Sequence, residues 1–181
     1  SAFGRSQESL FRAIRDCNIF IENIDAVLDM SVEEKKTWKA EVKFLKAYYH
    51  FLLLRQYGPV PIIDRNLEIS ADVDEVRVIQ QPVDEVFMED LPDRNTANTA
   101  LGRVDKVIAA SIKSRVLLYA ASPLYNGNSE FYETFTSKEG DNFFNTSYDP
   151  EKWKLAADAA KEALDLAIAN GVELYYYSEV V

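Results

Sequence analysis

Two runs of apolar residues at three- and four-residue steps, with only a short polar break between them, constrain this chain more than anything else in it. Leu10, Ile14, Cys17, Ile21, Ile24 and Leu28 fall on one face of a helix spanning roughly residues 6–29. Phe11, Phe20 and Val27 widen that face enough to meet two neighbours. Ser31 and Glu34 then have the spacing of a capping box, in which each side chain bonds an otherwise orphaned backbone amide of the other. A second helix follows to about Tyr57, with Trp38, Val42, Leu45, Tyr49 and Leu52 on one stripe and Phe44, Tyr48 and Phe51 on the next. Gly58-Pro59 ends it. Long helices joined by about two residues fold back on one another, so residues 6–57 are expected to form an antiparallel hairpin.

The same pattern returns later in the chain. A third long helix is expected from about Val104 to Ser122, with Val107, Ile108, Ser111, Ile112, Leu117, Leu118 and Ala121 mostly inward, ended by Pro123. A fourth opens with Asp149 as N-cap and Pro150 in the first position, carries Trp153 and an alanine-rich face, and closes at Asn170-Gly171. Ala156, Ala157, Ala160 and Ala163 let another helix approach closely, as in stacked helical repeats. The predicted fold class is therefore all-α, with antiparallel helical hairpins of tetratricopeptide-like type, long loop insertions and one domain over residues 1–181. Trp38 and Trp153 each begin an apolar stripe and are expected to be largely buried.

The connections differ in character. Pro59-Val-Pro-Ile-Ile63 holds two prolines in five residues and reads as an extended, packed connector. Residues 64–81 are polar and acidic without a period, and Pro82 is placed to open a short helix ending near Leu91-Pro92. Residues 93–101 form a further loop. Glu41, Arg55 and Arg115 carry charge on otherwise apolar helices and are expected in half-buried pairs or on carbonyls.

Chemistry is sparsely encoded. The chain has 181 residues and a net charge of −10, which opposes binding to nucleic acid. Cys17 is the sole cysteine, so neither an internal disulfide nor a CxxC site is available. His50 is the sole histidine, flanked by Tyr49 and Phe51, and reads as a packing residue. Nucleotide-, zinc- and serine-nucleophile motifs are missing. The adjacent carboxylates Glu33-Glu34, Asp84-Glu85 and Glu89-Asp90 sit at helix starts or on exposed faces, and no cofactor, metal or catalytic residue is expected.

The remaining feature is the segment 124–148, which sets Tyr125, Phe131, Tyr132, Phe135, Phe143, Phe144 and Tyr148 among asparagines and glycines. It reads as an Ω-loop packed on its own aromatics, or as a ligand-contacting loop. Sugar rings present apolar C–H faces that stack on aromatic rings, while an asparagine amide both donates to and accepts from paired hydroxyls. Tyr125, Asn126, Asn128, Phe131 and Tyr132 are thus the candidate ligand-binding residues.

Three stretches together resemble one family. They are Arg15-Asp-Cys-Asn18 with Phe20-Ile-Glu-Asn-Ile24; Ala40-Glu-Val-Lys-Phe-Leu-Lys-Ala-Tyr-Tyr-His-Phe51 through Leu54-Arg-Gln-Tyr-Gly-Pro-Val-Pro61; and Gly102-Arg103, Ala109-Ala110, Lys113 and Arg115-Val-Leu-Leu-Tyr-Ala-Ala-Ser-Pro-Leu-Tyr-Asn126, followed by Trp153. These are similar to the SusD/RagB family of Bacteroidetes outer-membrane nutrient-binding lipoproteins. The resemblance implies a non-catalytic, tetratricopeptide-like scaffold on the external face of the outer membrane, capturing oligosaccharide for a SusC-like TonB-dependent transporter. It also implies a lipid anchor, for which this chain offers no lipobox cysteine, since Cys17 lies mid-helix. The chain accordingly reads as an amino-terminal domain of a longer protein. The competing reading is a helical-repeat scaffold that binds protein and no sugar.

Overall fold

The computed structural model describes residues 2–58, 60, 62–63, 65–66, 88–134, 136 and 146–174, with side chains from Leu10 onward apart from Glu89. Four long or medium helices and one short one carry the fold: α1 (Ala2–Asn23), α2 (Val32–Tyr57), α3 (Lys106–Ala121), α4 (Ser129–Tyr132) and α5 (Glu151–Ala169). No β-strand occurs among the described residues. The acidic segment 67–81, the expected helix start at Pro82, and Phe135, Phe143 and Phe144 lie outside them.

The expected hairpin is formed. The Ser31 hydroxyl accepts from the Glu34 amide at 3.2 Å while the Ser31 amide donates to the Glu34 carboxylate at 2.9 Å, so both halves of the capping box are made. Lys39 reaches Asp25 near the turn, at 2.7 Å. Phe20 stacks on Trp38 with ring centroids 6.5 Å apart. Two residues back from Phe20, Asn18 donates to the Ile63 carbonyl on the connector that follows α2. The short connection through the Ile24–Ala26 turn and these contacts bring α1 and α2 side by side as an antiparallel hairpin. Ile14, Cys17 and Ile24 are buried as their spacing predicts, but Leu28 is 99% exposed. The cause is local: the helix tightens into a 3₁₀ turn at Ile24–Ala26 and Val27 turns extended, so the α-helical period is lost before residue 28.

A second antiparallel pair joins α3 and α5. Asn126, just past α3, is bonded to Asp149, just before α5. Lys113 and Glu162 meet mid-way at 3.2 Å, and the Arg94 guanidinium donates to the Asn170 carbonyl at the other end. Ala110 and Ala121 on α3 and Ala156, Ala159 and Ala163 on α5 are buried, while Ala109 is turned toward α2. Residues with no side chain beyond Cβ allow the two helices a close approach. Ile108, Ser111 and Leu118 on α3 and Ala157 and Ala160 on α5 are exposed, a correction to the expected inward sets of both helices, and Leu164 and Ile168 also stand at the surface.

Between the pairs, α2 and α3 run parallel: Glu41 meets Arg103 near the start of both, and Phe51 meets Tyr119 near their ends. A parallel pair needs a return connection, and residues 58–105 provide it. Leu91 from that connection enters the core with Ala40, Phe44 and Ala109. Met88–Asp90 just before it is a 3₁₀ turn, where a short α-helix was expected. Asp105 caps α3, its carboxylate accepting from the Ile108 amide at 2.9 Å and from the Asn95 amide at 3.1 Å.

Neither tryptophan is largely buried, against expectation: Trp38 is 41% and Trp153 40% exposed. Trp38 is sandwiched against Phe20 and the Arg103 guanidinium, which lies 5.1 Å from its ring centre. Arg103 in turn makes a forked bond to Glu41, at 3.0 and 2.9 Å. That bond to Glu41 raises the already high affinity of Arg103 for its proton. Glu41 is thus in the expected half-buried pair. Arg55 and Arg115 are exposed instead.

Candidate functional site

The carboxy-terminal ends of α2 and α3 and the loop after α3 form one aromatic surface. Ser122 turns extended before Pro123, as the residue preceding a proline must, and its hydroxyl donates to the Tyr119 carbonyl at 2.6 Å. The turn is completed by the Tyr125 amide on the Ser122 carbonyl at 2.9 Å. Tyr125 is thereby set back against Tyr119, half-buried.

The loop is closed at a neck. Asn126 is 3% exposed, and its amide is fully engaged: Nδ2 donates to the Asp149 carbonyl at 2.8 Å and to the Ala121 carbonyl at 3.4 Å, while Oδ1 accepts from the Asp149 amide at 2.8 Å. Gly127 follows with φ +80°, and a Cβ there would stand 2.7 Å from the Tyr148 backbone. Asn128 caps α4, its side-chain oxygen accepting from the Phe131 amide at 3.1 Å. Asp149 accepts from the Glu151 amide at 2.9 Å, and Pro150 already has helical dihedrals, so the expected cap of α5 is formed.

The five sequence-predicted residues thus separate by environment. Asn126 spends its whole amide on the backbone, and Asn128 its side-chain oxygen. Phe131 stands 65% exposed on α4, and Tyr125 and Tyr132 are half-buried beside it. Burial pushes the hydroxyl of Tyr125 above the ordinary tyrosine range; Tyr119 adds to this and Arg55 opposes it. Burial also raises Tyr132, with Tyr125 contributing. These tyrosines are therefore neutral hydroxyls, able both to donate and to accept.

Arg55 and Tyr119 belong to the same surface and escaped the sequence reading. The Arg55 guanidinium lies 5.3 Å from the Tyr119 ring centre and 5.7 Å from that of Phe51, and those two rings meet edge to face at 5.4 Å. The available signal was the four-residue spacing of Phe51 and Arg55, which places the cation over the ring one turn back.

Elsewhere, His50 is a packing residue. Its Nε2 accepts from the Ile63 amide at 3.3 Å and its Nδ1 faces the Lys46 carbonyl at 2.8 Å, which suits the tautomer with the proton on Nδ1. Cys17 is buried, and burial raises its thiol pKa. Among the described residues no three histidine, cysteine or carboxylate side chains come together as metal ligands. No described helix is long and apolar enough to cross a membrane.

Comparison with solved structures extends this picture. The structure of BT4246 superposes with a TM-score of 0.77 at 32% identity, over 96% of this chain and 31% of that one. A SusD-like protein, BF3747 from Bacteroides fragilis NCTC 9343, gives 0.58 at 21% identity over 88% and 26%. Surface glycan-binding protein A from Bacteroides uniformis gives 0.52 at 20% identity over 84% and 29%. The chain spans about a third of the length of these relatives or less. No curated protein sequence matches it significantly. The family model SusD-like_3, described as "Starch-binding associating with outer membrane", matches residues 3–125, and the chain, all-α and built of tetratricopeptide-like hairpins, belongs to that SusD-like family.

Proposed function

We propose that this chain is the helical part of a non-catalytic surface protein that captures neutral oligosaccharide and passes it to a SusC-like TonB-dependent transporter at the external face of the outer membrane. Tyr125, Phe131 and Tyr132 are its sugar-contacting residues here. Asn126 and Asn128 act by holding the loop in place. The observation that carries the reading is the exposed Phe131 beside two neutral tyrosines, on a loop whose neck is fixed by Asn126. Surface aromatics of this kind cost apolar exposure and return stacking area for the C–H face of a sugar ring. The family description as starch-binding, and the glycan-binding name of the Bacteroides uniformis relative, support the ligand class. A net charge of −10 favours neutral over acidic glycans.

The test is affinity electrophoresis of the full-length protein in gels containing amylopectin, laminarin or galactan. Tyr125→Ala with Tyr132→Ala is expected to weaken retention about tenfold or more, the equivalent of roughly 1.4 kcal/mol. Retention that is unchanged, with the melting temperature intact, places the sugar site elsewhere.

One observation favours a second reading, a protein-binding scaffold. Trp153, Leu164 and Ile168 follow one another along an exposed face of α5, an apolar stripe of the kind found at protein interfaces. Retention of no glycan, together with loss of protein partners in a Leu164→Lys, Ile168→Lys variant, is the outcome that selects it.

A further inference from the structure

Resting on the glycan-binding reading, we infer that Arg55 and Tyr119 form the second half of the sugar platform, with the Arg55 guanidinium as the donor that grips a pair of neighbouring sugar hydroxyls. Arg55 is exposed, and among the described residues it makes no ion pair, although acidic residues outnumber basic ones 30 to 20. Other exposed arginines, Arg12, Arg15 and Arg115, likewise make no ion pair among the described residues, so what distinguishes Arg55 is its placement over two aromatic rings. The Arg55 guanidinium is held against the faces of Phe51 and Tyr119.

That placement matters for recognition. A guanidinium has five N–H donors in a planar fork and no acceptor, so two adjacent hydroxyl oxygens on a sugar ring match its edge. Resting on the two rings already restricts the side chain, so less rotamer entropy is lost when a ligand arrives. The tyrosine hydroxyls supply the acceptors that the guanidinium lacks. Arg55 comes from α2, Tyr119 from α3, and Tyr125 and Tyr132 from the loop, so the donor half stands on rigid helices and the stacking half on the loop. The preferred ligand is a neutral glycan with vicinal hydroxyls, stacked on Phe131 and Tyr132 and gripped at its edge by Arg55.

The experiment uses the full-length protein with amylopectin, laminarin and galactan as neutral probes and polygalacturonate as the acidic one. Arg55→Met keeps the aliphatic stem over the rings and removes the donors; Arg55→Lys keeps the charge and removes the fork. Both are expected to lower affinity for the retained neutral glycan about tenfold or more, as losing charged hydrogen bonds does, with the melting temperature unchanged. If both variants bind within about twofold of the parent while Tyr132→Ala loses binding, the loop site stands and the role of Arg55 is overturned. Retention by polygalacturonate alone overturns the neutral ligand class. A parent protein retained by none of the four overturns the glycan reading and this inference together.

Discussion

At the scale of single residues, the chain distinguishes glycines that are needed for shape from those needed for space. Gly102 and Gly127 both have positive φ, at +87° and +80°. A Cβ at Gly102 meets nothing within 4 Å, whereas one at Gly127 runs into the Tyr148 backbone at 2.7 Å. Gly102→Ala should therefore cost only the left-handed backbone penalty, about 1 kcal/mol, and Gly127→Ala roughly 2–4 kcal/mol, because main chain cannot step aside as a side chain can. Urea denaturation of the two variants measures the difference, and equal losses would mean that the neck at Tyr148 is not tightly closed. The same scale explains Asn126. Sequence reasoning chose it because an amide suits a sugar, but an amide suits a buried pair of backbone groups equally well. Only position decides which of the two it meets, and here Asp149 is 2.8 Å away on both sides of the amide.

At the scale of elements, the α1–α2 hairpin is tied at its turn by carboxylates. The Ser31 hydroxyl bond to Glu34, and the Lys39 bond to Asp25, hold both acids below their usual range. A lowered folded pKa means that the contribution is present at neutral pH and is lost as pH falls below the unfolded values of 4.5 and 3.8 and on through the folded ones. The melting temperature is expected to drop between about pH 5 and pH 3, and to drop less in Glu34→Gln, which lacks the titrating group. An identical acid loss in that variant would show that the capping box does not contribute. This turn was legible in the sequence, as were the hairpin, the Asp149-Pro150 start of α5 and the breaks at Gly58 and Pro123, because each is dictated by neighbours within four residues. What was not legible depended on partners distant in the chain. The buried residues of α3 and α5 are alanines apart from Val116, whereas the larger Ile108 and Leu164 stand exposed. Trp38 looked like core and is a half-open sandwich, because its cover is Arg103, sixty-five positions away. The aromatic loop was visible from composition, and its helix-borne partners Arg55 and Tyr119 were not.

At the scale of the whole molecule, the exposed stripe of Trp153, Leu164 and Ile168 on α5 sets how this chain behaves in isolation. It is expected to bind a hydrophobic dye such as anilinonaphthalene sulfonate while fully folded, and Leu164→Lys with Ile168→Lys should remove most of that fluorescence without changing helix content. Dye binding that survives the double substitution would locate the apolar surface elsewhere. The parallel run of α2 and α3 shapes the whole in another way, since Leu91 packs between Ala40 and Phe44 of the one and Ala109 of the other. The neck at Asn126 and Asp149 has a different consequence, one that concerns inheritance. Because the two ends of segment 127–148 are fastened to each other by the scaffold, its contents are free to be rewritten. Doubling such a loop adds only about 0.6 kcal/mol of closure entropy. On the proposed function, such a segment can be exchanged like a cartridge, altering which sugar is met while the helices that bear it go on folding as before.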